Sequence, residues 1–204
     1  MMKLYGSINS PFVRMSMVTA IECGLTARVQ HITIGAKPDE VNETLAKLSP
    51  LGKIPVLETD HGHAIFDSRV IMEYLCHVAG NKQFLPDEGN KHFHVLTLLA
   101  LAQGLGDACV TYRYEDFARA KKLQWPEFKA RQKARIEACV IELNKKWLGD
   151  LSEVTLGSIA TAVMLAYIDF REMLPDWRSQ HPKLSDWHNT FKARESMRNT
   201  EPKA

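Results

Sequence analysis

Three short stretches of this sequence carry residues whose types and spacing could do chemistry. Asp67-Ser68 stands before Val70, Ile71, Tyr74, Leu75 and Val78, apolar positions at helical spacing, so an acid and a hydroxyl head a helix. Ile54-Pro55 opens a short apolar run, Val56-Leu57, that reads as a strand. Asp60 to His63 reads as a tight turn, and Ala64, Ile65 and Phe66 as the returning strand. Ser10-Pro11 precedes Val13, Met17, Ile21 and Leu25, with Ser favoured as an N-cap and Pro at the first helical position. A helix start offers N–H groups to an anion, and a strand edge offers N–H and C=O groups to an extended peptide. Together beside one sheet edge they make a site for a peptide that carries a carboxylate.

The elements that must position these residues follow in order. Lys3 to Gly6 reads as a first strand, Gly24 stops the first helix, and Val29 to Ile34 reads as a second strand. A helix is predicted from Pro38 to about Leu48, which with the hairpin and the helix after Ser68 makes βαβαββα. Gly80 to Gly89 is polar and Pro-containing, a domain linker. Beyond it nothing reads as a strand. Helices are predicted over His92 to Ala120, bent near Gly104 and Gly106, from Trp125-Pro126 to about Leu148, over Val154 to Met173, and from Pro182 to Arg194. Thr155-Leu156-Gly157-Ser158 reads as a capping box, with Val154 and Ile159 as its hydrophobic staple. The expectation is an α/β domain at 1–80, a linker at 81–89 and an all-helical domain at 90–204.

Composition narrows the function classes. Hydrophobic content of 45% with 25% charged residues is that of a soluble globular protein, and 204 residues suffice for one large domain or two small ones. A net charge of +2 does not make a nucleic-acid surface; the basic runs at Lys121-Lys122 and Lys129 to Arg135 interleave with acids and read as solvated helix faces. No apolar run approaches the ~18 residues of a membrane span, and the opening MMKLYGSINSP has no secretory apolar region. The four dispersed cysteines, with no CxxC pair, suit a reducing compartment. His61-x-His63 and His92-x-His94 lack a third ligand by pattern, so no metal is expected. A cytoplasmic protein without nucleic-acid or membrane partners is the plain expectation.

GKIPVLE from Gly52 and DSRVIMEYL from Asp67 resemble the glutathione-binding half of the glutathione S-transferase superfamily. SPFVR at Ser10 to Arg14, LAKLSPLGKIP, VTLGSIATA from Val154 and the ending FKARESMRNTEP extend the resemblance, to a bacterial Ser-type cytosolic member, over nearly the whole chain. It implies a thioredoxin-like N-terminal domain with Pro55 in cis, a helical-bundle C-terminal domain, glutathione as co-substrate and a homodimer. By this resemblance Ser10 is the hydrogen-bond donor to the glutathione sulfur. A free thiol has a pKa near ~8.5, and two units of depression correspond to roughly 2.7 kcal/mol. Tyr5, close to where Tyr-type classes carry their donor, is the alternative, and Ser7 a further one.

The same resemblance gives Ile54 the pairing with the cysteinyl backbone, Asp67 and Ser68 the γ-glutamyl end, and Lys53 or Lys37 the glycyl carboxylate. Phe12 with Tyr112, Arg113, Tyr114 and Phe117 would meet the second substrate between the halves. Arg14 either braces the first helix or reaches the site. Where Cys-type classes exchange disulfides, Ser10 cannot. The superfamily usually carries Asp where Ser158 stands, so Ser158→Asp is expected to raise the unfolding midpoint. The activity implied is conjugation of the activated thiol to a small, apolar electrophile, as in detoxification. The alternatives are a glutathione-dependent isomerase, dehalogenase or peroxidase, and a regulatory or ligand-carrier protein with little catalysis.

Overall fold

Apolar alternation builds the sheet. In β1 (Met2–Tyr5) the side chains of Met2 and Leu4 are fully buried while Lys3 and Tyr5, on the other face, are half-exposed. This computed structural model describes residues 1–87 and 89–203. β1 pairs in parallel with β2 (Val29–Ile32) and antiparallel with β3 (Val56–Glu58), which pairs antiparallel with β4 (Ala64–Ile65). The sheet order is β2-β1-β3-β4. Helices α1 (Pro11–Glu22), α2 (Glu43–Leu48) and α3 (Ser68–Ala79) complete βαβαββα. Met2, Leu4 and Leu57 from the sheet pack with Ala20 of α1, Leu25, and Ile71 and Leu75 of α3 as one core.

The helix predicted from Pro38 begins later. The side chain of Asn42 accepts hydrogen bonds from the N–H groups of Thr44 and Leu45, at 3.1 and 3.2 Å, and this cap sets the start of α2 at Glu43.

The remaining helices are α4 (Gly89–Phe117), α5 (Pro126–Glu142), α6 (Leu156–Phe170), α7 (Trp177–Gln180), α8 (Pro182–Lys192) and α9 (Glu195–Arg198). α4 runs unbroken through Gly104 and Gly106, and a π-helical turn, Leu143–Trp147, prolongs α5. α4 is long and apolar enough to cross a membrane by length and composition, with 44% of that stretch buried. The sequence reading missed it because Thr97, Gln103 and Asp107 interrupt its apolar run. The helix predicted from Pro182 to Arg194 is α8, and the short α9 that follows Arg194 was not predicted.

The capping box at α6 is formed. Ser158 N–H donates to Thr155 Oγ1 (3.2 Å), and Thr155 N–H donates to Ser158 Oγ (2.8 Å). The Ser158 hydroxyl, fully buried, also donates to the Thr155 carbonyl at 3.1 Å. An ionised Asp could accept from Thr155 N–H but could not donate to the Thr155 carbonyl, so Ser158→Asp would add charge at the helix start and lose one hydrogen bond. A Cβ on Gly157 would come within 2.8 Å of Leu98, so this glycine sets how closely α6 approaches α4.

By contacts the chain forms two compact units, Met1–Phe93 with Arg194–Ala204, and His94–Ala193. The last segment thus groups with the sheet rather than with the helices that precede it. Arg14, buried on α1, shows why: it donates to the Met197 carbonyl (2.9 Å) and to Thr200 Oγ1 (3.3 Å). At the other end of α1, Arg194 makes a two-pronged bond to Glu22, at 2.8 and 2.7 Å.

Candidate functional site

Ser10 is the N-cap of α1, with extended backbone (φ −81°, ψ 124°) and a half-buried side chain. Its hydroxyl makes no capping hydrogen bond. An N-cap serine ordinarily accepts from the second or third helical N–H. Here Pro11 has no N–H, and those of Phe12 and Val13 belong to the open end of the helix. The uncommitted hydroxyl and these N–H groups are donors for an anion.

Gly6 joins this helix start to the strand that follows Pro55. A Cβ on Gly6, whose φ is +154°, would lie 2.4 Å from Val13 Cγ2 and 3.2 Å from Ile54 Cβ. Only glycine permits so close a meeting of the end of β1, the first turn of α1 and Ile54. The Ile54-Pro55 bond is cis. β4 pairs with Leu57 and Glu58, and among the described residues no strand pairs with the chain before Leu57 on that side. Among the described residues, the backbone N–H and C=O of Ile54 make no hydrogen bond. They form an open edge of the kind an extended peptide pairs with.

Asp67 is the N-cap of α3, joined to Phe66 by a second cis bond. Its Oδ1 accepts from Arg69 N–H at 3.0 Å and its Oδ2 lies 3.4 Å from the Arg69 guanidinium. Ser68, the first residue of the helix, is buried. Lys53 is exposed and has no ion-pair partner among the described residues, whereas Lys37 is paired with Glu40 at 2.7 Å.

The rival donor is engaged elsewhere. Tyr5 Oη donates to Glu58 Oε2 at 2.7 Å, and Lys3 Nζ approaches the same oxygen at 3.4 Å. The bond to Glu58 pushes the Tyr5 phenol above its ordinary range and holds the Glu58 carboxyl below its own. Ser7 Oγ accepts from Asn9 N–H at 3.3 Å. Of the two alternatives left open for Arg14, the bracing one matches its bonds to Met197 and Thr200.

Residues 9–78 match the family profile of the glutathione S-transferase N-terminal domain, and residues 126–190 that of the C-terminal domain. The chain is 33% identical to the uncharacterised GST-like protein YibF of Escherichia coli K12, covering 98% of each. The chain belongs to the glutathione S-transferase superfamily. Among solved structures, a glutathione transferase family member from Pseudomonas fluorescens Pf-5 with bound glutathione is 34% identical, with a TM-score of 0.96 over 100% of both chains. A glutathione S-transferase from Methylobacillus flagellatus KT, also with glutathione bound, is 30% identical, with a TM-score of 0.85 over 100% of both.

A superfamily member has this thioredoxin-like sheet unit followed by helices, and the two groups of predicted site residues separate accordingly. Ser10, Phe12, Lys53, Ile54, Pro55, Asp67 and Ser68 all lie in the sheet unit, Arg113 in the helical one. Arg113 lines a cavity of about 250 Å³ with Tyr112, Asp116, Phe117, Arg171 and Met173. Arg171 and Met173, from the segment after α6, were not singled out from the sequence. Nothing local marks them, since the cavity is closed by residues some 55 positions from the Tyr112–Phe117 stretch. Glu58 was also missed, although Lys3, Tyr5 and Glu58 on adjacent strands are the signal that could have found it.

Proposed function

We propose that this protein binds glutathione on its sheet unit and holds the thiol as thiolate for conjugation to a small electrophile. The uncapped hydroxyl of Ser10, at the head of α1, is the observation that carries this reading. In it, the cysteinyl backbone of glutathione pairs with the N–H and C=O of Ile54, beside cis-Pro55. The γ-glutamyl carboxylate lies at the start of α3 by Asp67 and Ser68, and Lys53 meets the glycyl carboxylate. Ser10 Oγ–H then donates to the sulfur, and the positive end of α1 favours the thiolate. The sulfur lone pair forms the S–C bond. Either a leaving group departs with its bonding electrons or, in an addition, the new carbanion takes a proton from water.

Glutathione bound to relatives at 34% and 30% identity supports the ligand. A further relative from Pseudomonas fluorescens Pf-5, 33% identical, holds S-(propanoic acid)-glutathione, which supports sulfur as the reacting atom. We also propose a homodimer, since Val70 and Phe93 leave large apolar side chains 50% and 66% exposed on the sheet unit.

The test is the pH dependence of thiolate absorbance for glutathione bound to wild type and to Ser10→Ala. The reading expects a depressed thiol pKa in wild type that returns toward the free value in the variant. No saturable binding would overturn it, and a depression that survives Ser10→Ala would remove Ser10 from the role.

A further inference from the structure

The helical unit contains two arginines that line one cavity. Arg113, near the end of α4, and Arg171, just past α6, both line the 250 Å³ cavity. Neither has an ion-pair partner among the described residues. Each guanidinium instead lies over an aromatic ring, Arg113 over Phe117 at 4.5 Å and Arg171 over Phe170 at 4.0 Å. Stacking engages the face of a guanidinium and leaves its N–H edges for acceptors.

One of those edges is an orphan. Arg171 Nε is buried without a hydrogen-bond partner, and among the described residues it is the only buried side-chain nitrogen or oxygen so placed. Native structures leave few such donors, because each forfeits its hydration for nothing. The one carboxylate in the lining, Asp116, is bonded to Lys129 Nζ. The cavity therefore presents positive charge not balanced from within. Burial pushes the Tyr167 phenol up, opposed first by a hydrogen bond from Arg171 and then by the charges of Arg171 and Arg113.

We propose that this cavity binds a small organic anion, its carboxylate received by Arg171 and Arg113 and its apolar body lying against Tyr112, Phe117 and Met173. A planar carboxylate matches the two-pronged donor edge of a guanidinium, and the stacked rings hold that edge in place. The volume is just under the ~300–1,000 Å³ of sites for drug-sized ligands, so the ligand is a small one. An electrophile held here is an anionic one, which revises the apolar class expected from the sequence. That extension rests on the glutathione reading; the binding itself does not.

Isothermal titration of the full chain without glutathione tests it, with cinnamate as the probe and cinnamamide as its uncharged counterpart. The expected result is saturable one-to-one binding of cinnamate, with cinnamamide at least about tenfold weaker. Arg171→Gln and Arg113→Gln should each weaken cinnamate by about tenfold, and added salt should weaken it further. Arg131→Gln, on an exposed position of α5, should leave it unchanged. Thermal melts show whether the variants fold, and if Arg171→Gln does not, Arg113→Gln carries the comparison. Equal binding of acid and amide overturns the proposal, as does undiminished binding by the folded variants. No binding of cinnamate at millimolar concentration also overturns it and leaves water as the partner of Arg171 Nε. Because glutathione is absent throughout, these outcomes are independent of whether Ser10 activates a thiol.

Discussion

Tyr5 and Glu58 face each other across the β1–β3 pair, the phenol donating to the carboxylate at 2.7 Å. A phenol that stabilises a thiolate must give its proton to sulfur, and this one is held by a charged acceptor, a stronger partner than a neutral one. Tyr5→Phe is therefore expected to leave the pKa of the bound glutathione thiol where wild type has it, at the cost of a lower melting temperature. Ser10→Ala is expected to move that pKa toward the free value of ~8.5. Titrating thiolate absorbance in both variants decides between them, and a free-like pKa in Tyr5→Phe would give the role to Tyr5.

Gly6 holds the site elements together through the absence of a side chain. Alanine there would meet Val13 Cγ2 at 2.4 Å and take a φ of +154° that L residues avoid. The expected cost is about 1–3 kcal/mol, with weaker glutathione binding as Ile54 and the first turn of α1 are pushed apart. Gly24→Ala is the control, with φ +70° and nothing within 4 Å of the added Cβ. It should cost about 1 kcal/mol and leave binding intact. Denaturant unfolding and calorimetric titration of both variants measure the contrast. Equal losses of affinity would show that the Gly6 contact does not shape the site.

What the sequence made legible was local. The helix starts at Ser10, Asp67-Ser68 and Thr155 are each written within four residues, so residue type and spacing were enough to locate them, though not to choose between Asp67 and Ser68 as the cap. The start of α2 was misplaced because Pro38 and Asn42 are both plausible helix starts, and only the bonds Asn42 makes distinguish them. Contacts between distant residues were not legible. Arg14 meets Met197 across 183 positions and Tyr5 meets Glu58 across 53, and no periodicity records either pairing. At Ile54 the dipeptide pointed to a special backbone. That its N–H and C=O lie open depends on β4 ending at Ile65, which residue type does not dictate.

His188 is expected to make the helical unit sensitive to mild acid. It is fully buried, its Nδ1 accepting from Arg178 at 2.7 Å and its Nε2 donating to the Ala162 carbonyl at 3.1 Å, which fixes the neutral tautomer. Burial, then the charge of Arg178, pulls its pKa down to about 4. The unfolded chain takes up this proton near pH 6.5 and the native one does not. The stabilisation is therefore complete above about pH 6.5 and is lost as the pH falls toward 4, up to roughly 3 kcal/mol. Urea unfolding across that window should show the loss in wild type and a flatter profile in His188→Gln. Parallel profiles would show that His188 does not set the pH dependence.

Glu22 ties the last segment to α1, and the same helix presents Ser10 at its other end. Arg194 donates to both Glu22 oxygens, Ser196 Oγ donates to Oε1, and further along the segment Lys203 N–H donates to Asn9 Oδ1 at 3.0 Å, one residue before Ser10. The Arg194 bond holds the Glu22 carboxyl below its ordinary range, with burial opposing and Ser196 adding to the effect. A carboxyl lowered in the folded state stabilises fully above its unfolded pKa of ~4.3 and loses that contribution as the pH falls through the folded value. Glu22→Gln should thus reproduce at neutral pH what acid does to wild type, a loss of about 1–2 kcal/mol. Hydrogen exchange should be faster at Arg198 and Asn199, whose amides bond to Arg194 and Glu195. Glutathione affinity should fall by less than stability does, since Arg14 still holds Met197 and Thr200. Unchanged exchange at Arg198 and Asn199 in Glu22→Gln would mean that Arg14 alone anchors the segment.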